Sequence, residues 1–98
     1  MKAKQLLNRR VTIAANAFAE LVIWEVPTAV DGSKHSYKYR LAFIHENICR
    51  LRYDNEAGKG DHKHIETLEL PYNFVSVDQL TQDFLADVRR WQDENSNP

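Results

Sequence analysis

The sequence predicts an α+β fold: an antiparallel sheet of four to five strands with a C-terminal amphipathic helix packed on one face. Two observations carry that expectation. Residues 37–45 and 48–54 each alternate between apolar and polar side chains, and only Glu46-Asn47 separates them, the length of a tight hairpin turn. Further on, Val77, Leu80, Phe84, Val88 and Trp91 recur at steps of three and four, the apolar stripe of a helix.

Taken in order, residues 2–10 suit either a helical turn or an extended lead-in. Val11-Thr12-Ile13 reads as a first strand, with Asn16 near the turn that follows. Leu21-Val22-Ile23-Trp24-Glu25-Val26 is rich in β-branched and aromatic residues, and Val22, Trp24 and Val26 share a face. Pro27 to Ser36, with Asp31-Gly32-Ser33, is a loop. In the hairpin, Tyr37, Tyr39, Leu41 and Phe43 oppose Lys38, Arg40, Ala42 and Ile44; Cys49, Leu51 and Tyr53 oppose Ile48, Arg50, Arg52 and Asp54. Pairing these strands places Lys38, Arg40, Arg50 and Arg52 together, where like charges repel unless an anion or acidic groups offset them. That alternation also assigns Cys49 to the core. Residues 65–70 read as a last strand stopped by Pro71. Ser76 and Gln79 have the spacing of a capping box, and Asp78 suits the positive end of a helix of about sixteen residues.

Ninety-eight residues, 43% of them apolar and ten aromatic, are expected to form a single domain spanning 1–98, with 93–98 a frayed polar tail. One cysteine, Cys49, excludes a disulfide framework and suits a reducing cytoplasmic setting. No apolar run is long enough for a membrane span, and the N-terminal residues lack the apolar core of a secretory signal. The net charge of −1 argues against a generic nucleic-acid binder. Its distribution is uneven, however: residues 1–64 hold eleven Lys/Arg against seven Asp/Glu, and residues 65–98 hold two against seven.

The chemistry concentrates in residues 50–64, which include Arg50, Arg52, Tyr53, Asp54, Lys59, His62, Lys63 and His64. Side chains two apart on a strand share a face at roughly 7 Å, so His62 and His64 can flank a group the size of a phosphate. Histidine exchanges protons near neutral pH, and two imidazoles beside cationic groups suffice to cleave RNA without a metal. Arg52, Lys59 and Lys63 are the cations nearest in sequence. A metal set of Asp54, Asp61, His62 and His64 fits by residue type but lacks a diagnostic spacing. Glu56-Ala57-Gly58-Lys59-Gly60-Asp61 is not a Walker loop, although its glycines can aim backbone N–H groups at an anion. Asp54 and Asn55 are residues that commonly begin turns.

Arg52-Tyr53-Asp54-Asn55, a short loop, Gly60-Asp61-His62-Lys63-His64, Pro71 and a terminal amphipathic helix resemble the TumE family of toxin components of toxin–antitoxin systems. Lys2-Ala3-Lys4-Gln5-Leu6-Leu7 and Tyr39-Arg40-Leu41-Ala42 extend the likeness over nearly the whole chain. The resemblance implies a small cytoplasmic growth inhibitor neutralised by direct binding of an antitoxin, encoded adjacently and DNA-binding. Together with the histidine chemistry it leads to an RNA-cleaving toxin using His62, His64, Arg52, Lys59, Tyr53 and Asp54. Lys38, Arg40, Arg50 and Lys63 are expected to bind RNA. No metal or other cofactor is required in this reading, and a homodimer stays open. The alternatives are a non-catalytic module acting through a basic sheet face, or a metal-dependent nuclease or nucleotidyltransferase.

Overall fold

The computed structural model describes residues 2–96, and they form six strands followed by one helix: β1 Lys4–Ala14, β2 Ala17–Glu25, β3 Tyr37–His45, β4 Ile48–Glu56, β5 Gly60–Ile65, β6 Leu68–Pro71 and α1 Val77–Asn95. Every strand pairs antiparallel with its sequence neighbour, giving a β1-β2-β3-β4-β5-β6 meander. The α+β architecture with the helix on one face is as expected, with one strand more than the four to five anticipated. No helix among the described residues is long and apolar enough to cross a membrane.

The extra strand comes from a turn inside the segment read as one strand. Ile65 pairs with Leu68, and Glu66 between them adopts a left-handed φ of 54°. Of the expected strand 65–70, Ile65 therefore ends β5, which begins at Gly60 in the segment expected to be loop, and Leu68 begins β6. The lead-in 4–10 joins residues 11–14 in a single strand because β2 supplies hydrogen-bonding partners along its length, from Lys4↔Glu25 to Ala14↔Ala17. At the β3–β4 connection, Glu46 and Asn47 both have positive φ, 51° and 65°, as a two-residue hairpin turn of matching twist demands.

One face of the sheet is covered by α1. Leu21, Ile23, Leu41, Phe43, Leu51 and Tyr53 lie beneath Leu80, Phe84, Val88 and Trp91, all buried. The predicted helical stripe is the buried one. Removing a side chain the size of Phe84 from water contributes about 1.5–3 kcal/mol, and its ring meets Tyr53 edge-on at 5.6 Å. Ser76 caps the helix by accepting from the Gln79 N–H at 3.0 Å. The helix continues past the sixteen residues expected, through positions 93–95 of the expected tail. Asn95 Nδ2 donates to the Trp91 carbonyl and Ser96 Oγ to the Asp93 carbonyl, satisfying groups that a frayed end would leave to water. Positions 97–98 of that tail lie outside the described residues.

A bulge changes the faces of two residues. The β3–β4 register slips between Phe43↔Leu51 and Ile44↔Cys49, leaving Arg50 without a partner. Cys49 is exposed, contrary to its place in the alternation. Arg50 turns toward the end of the helix: its guanidinium lies 5.6 Å from the Trp91 ring and 3.3 Å from Glu66. It therefore does not join Lys38, Arg40 and Arg52.

Candidate functional site

The β4–β5 ladder sets Arg52 opposite His64 and Asp54 opposite His62. Leu51 and Tyr53, on the same strand, point under α1, so these four side chains occupy the opposite face, which no helix or strand among the described residues covers. His62 and His64 are two apart on β5 and share that face as expected. Their ring centroids are 4.9 Å apart and the rings stand nearly perpendicular, at 78°.

Asp54 is the centre of the group. Its Oδ1 lies 2.8 Å from His62 Nε2 and its Oδ2 lies 3.1 Å from Arg52 Nε. These are ion-pair distances but not aligned hydrogen bonds: Arg52 Nε, Asp54 Oδ1 and His62 Nε2 are all buried without a well-directed partner. The N–H directions decide this, since a short separation with a poor angle contributes little bonding. His62 Nδ1 faces the Gly60 carbonyl at 3.1 Å, an acceptor only, so Nδ1 carries a proton. Arg52 Nη2 lies 3.1 Å from His64 Nε2; a guanidinium only donates, so this nitrogen accepts and the His64 proton sits on Nδ1. The side chains of Asp54 and His62 are 10% and 6% exposed, whereas that of Arg52 is 32% exposed. The carboxylate and one imidazole thus form a floor beneath a more accessible arginine and His64.

Arg40, opposite Asp54 on β3, extends the same face and is exposed. Lys38 shares it and donates from Nζ to the Asn55 carbonyl at 2.6 Å. The other predicted residues lie elsewhere. Lys63 projects beneath the helix, 3.1 Å from Asp87. Tyr53 is fully buried on that side and its hydroxyl donates to Asp87; burial first, and then that carboxylate, push its ionisation well above the ordinary tyrosine range. Lys59 sits in the β4–β5 turn, largely exposed, with Glu56 3.8 Å away. Asp61 also projects away from the histidines, which removes it from the four-residue metal set. The carboxylate of Asp54 and the imidazoles of His62 and His64 do stay together, with one ligand atom of each within 4.8 Å of the others.

Two residues read as loop material, Asn55 and Asp61, prove to be hydrogen-bonding hubs. Asp54 and Asn55 are strand residues of β4, not the start of a turn. Asn55 accepts from the Tyr39 N–H at 3.0 Å and donates to the Tyr37 carbonyl at 2.7 Å, tying β3 to the end of β4. Asp61 accepts from Ser33 Oγ at 2.6 Å, His35 Nε2 at 2.6 Å and Tyr39 Oη at 2.7 Å. Burial by itself raises the Asp61 ionisation, but donation from Ser33, Tyr39 and His35 outweighs it and holds the carboxyl below its ordinary range. Nothing in the local pattern links Ser33, His35 and Tyr39 to Asp61, because the partners are 22 to 28 residues apart. The link is made by two loops in contact: a Cβ on Gly32 would fall 2.7 Å from Gly60 N, and Gly58 N–H donates to the Asp31 carbonyl at 2.8 Å. These bonds pin the start of β5, and with it the position of His62.

No curated protein and no solved structure matches the chain. The family model described as toxin TumE matches residues 2–92, a span that includes every strand and most of the helix. The chain therefore belongs to the TumE toxin family, a membership that assigns it a toxin role and implies a cognate antitoxin partner.

Proposed function

We propose that this toxin cleaves RNA through the Arg52–Asp54–His62–His64 cluster, by proton transfer between imidazoles and the substrate. The observation that supports this most directly is the pairing of two imidazoles 4.9 Å apart with an arginine on an uncovered sheet face. His64 would take the 2′-hydroxyl proton on Nε2 once a bound phosphate draws away the Arg52 guanidinium that this lone pair accepts from in the free protein. His62 holds a proton on Nδ1 against Gly60 O and leaves Nε2 beside Asp54 Oδ1 without an aligned bond, so Nε2 is the atom that would carry the proton passed to the departing 5′-oxygen. Arg52 would balance the charge that grows on the phosphoryl oxygens, and Arg40 and Lys38 would hold the flanking backbone. Arg50, Lys59, Lys63 and Tyr53 have no place at this cluster in the proposal.

A second reading is favoured by the three clustered ligand atoms and by the unpartnered Asp54 Oδ1 and His62 Nε2. A divalent ion held by Asp54, His62 and His64 would supply a Lewis acid for phosphodiester hydrolysis. The fit is imperfect, because the Arg52 guanidinium already contacts both Asp54 and His64 and a second cation there meets its charge. Purified protein incubated with RNA, with and without chelator, separates the readings. Cleavage that survives chelation supports the proton-transfer mechanism, and loss restored by one divalent ion supports the metal. Intact RNA under both conditions, with growth arrest preserved, would overturn both in favour of a non-catalytic toxin acting through the same basic face.

A further inference from the structure

The sheet ends in two edges of very different character. β6 is four residues long, carries Glu69 and closes on Pro71, which has no N–H to offer. β1 is eleven residues long, contains no proline and, among the described residues, has a hydrogen-bonded strand neighbour on the β2 side alone. A strand of that length leaves a row of backbone donors and acceptors facing outward, which is a template for an added strand.

Beside this edge lies a groove of about 310 Å³ lined by the apolar residues Leu7, Val11, Ile13, Leu21 and Leu85 and by Arg9, which stands between Leu7 and Val11 on the same face. Val11 is 36% and Leu85 39% exposed, so the helix leaves this part of its own side of the sheet uncovered. The charge of the strand itself is one-sided, although Lys4 and Arg10 stand opposite Glu25 and Glu20 of β2 and Arg9 faces no acid. β1 holds Lys4, Arg9 and Arg10 and no acidic residue, and among the described residues none of the three takes part in an ion pair. Arg10 lies instead over the Phe18 ring at 3.9 Å. Two copies of β1 set antiparallel about their middle would bring Arg9 and Arg10 of each against those of the other. The same charges favour a partner of opposite sign.

We infer that β1 is the docking edge for an acidic, extended segment of the cognate antitoxin. The segment adds as a seventh strand, lays apolar side chains over Leu7, Val11 and Leu85 with a carboxylate between them for Arg9, and presents a second carboxylate to Arg10 on the opposite face. The inference rests on the toxin family membership and is independent of RNA cleavage, since the β1 edge lies three strands away from β4.

Hydrogen–deuterium exchange on the full chain, alone and in complex with its purified antitoxin, tests it. Backbone amides of Lys4–Ala14 should exchange more slowly in the complex while those of Leu68–Pro71 do not change. The Arg9→Glu/Arg10→Glu double variant should bind about tenfold more weakly or worse, whereas Lys34→Glu/Arg89→Glu, the same charge change elsewhere, should bind as the wild type does. Protection confined to the His62–His64 face, affinity indifferent to Arg9 and Arg10, or no complex at all would each overturn the inference. So would β1 protection that appears in the toxin alone as its concentration rises, which would assign the edge to a second copy. None of these outcomes bears on whether the purified chain cleaves RNA.

Discussion

His62 and Asp54 face each other across the β4–β5 ladder with Nε2 2.8 Å from Oδ1, yet neither atom has a well-aligned hydrogen-bond partner. Strand register, and not the pair's own bonding, holds them at this distance. The register is kept by the Asn55 and Asp61 hubs at the loop end of the sheet. Polar atoms held in place but incompletely bonded are what an incoming group, rather than the fold, is expected to satisfy.

Replacing His64 by alanine should lower RNA cleavage by about 100-fold or more while costing less stability than the same change at His62, because His64 is half-buried and His62 is buried. His62→Ala should lose cleavage equally and also destabilise, by roughly 0.5–3 kcal/mol, since removing a buried ring leaves a cavity beside Asp54. Cleavage assays paired with thermal unfolding check both; unaltered cleavage in the two variants would remove the imidazoles from the mechanism.

Tyr53→Phe should separate stability from activity. The ring volume is kept, but Asp87 loses its hydroxyl donor and is left with Lys63, 3.1 Å away, and Arg90, 3.5 Å away. A loss of about 1–3 kcal/mol is expected, with RNA cleavage at low temperature unchanged. A fall in cleavage at full folding would bring the hydroxyl back among the catalytic candidates.

Asp61→Asn should destabilise at neutral pH by about 2–3 kcal/mol, because an amide presents N–H groups to donors that a carboxylate accepts from. The folded-state ionisation of Asp61 lies below its ordinary value of 3.8. The stabilisation is therefore complete above the unfolded value and is lost as pH falls from about 3.8 through the folded value. Denaturant titrations of both proteins should converge across that acidic window, and a constant gap down to low pH would contradict the assignment.

Gly32→Ala should cost more than Gly58→Ala. Both have positive φ, 93° and 85°, but a Cβ at Gly32 meets Gly60 N at 2.7 Å while one at Gly58 meets nothing within 4 Å. Backbone strain alone costs roughly 1 kcal/mol at Gly58. At Gly32 the two loops must also part, which should loosen the Asp61 hub and lower cleavage as well as the unfolding midpoint. Equal losses at both positions would deny the contact between the loops.

Alternation around Glu46-Asn47 and the helical spacing from Val77 to Trp91 determined the hairpin, the helix and the buried stripe, because these are short-range periodicities that side-chain burial obeys directly. The same alternation put His62 and His64 on one face. What it does not encode is the irregularity that tertiary pairing introduces. A bulge at Arg50 sent that residue to Trp91 and exposed Cys49, and a turn at Glu66 split one strand into two. Register between β4 and β5 chose Asp54 and Arg52 as the companions of the histidines and sent Lys63 beneath the helix, because a strand's two faces see different neighbours. The union of Ser33, His35 and Tyr39 on Asp61 likewise exists only once the chain has closed on itself, since it depends on two loops meeting at Gly32 and Gly60.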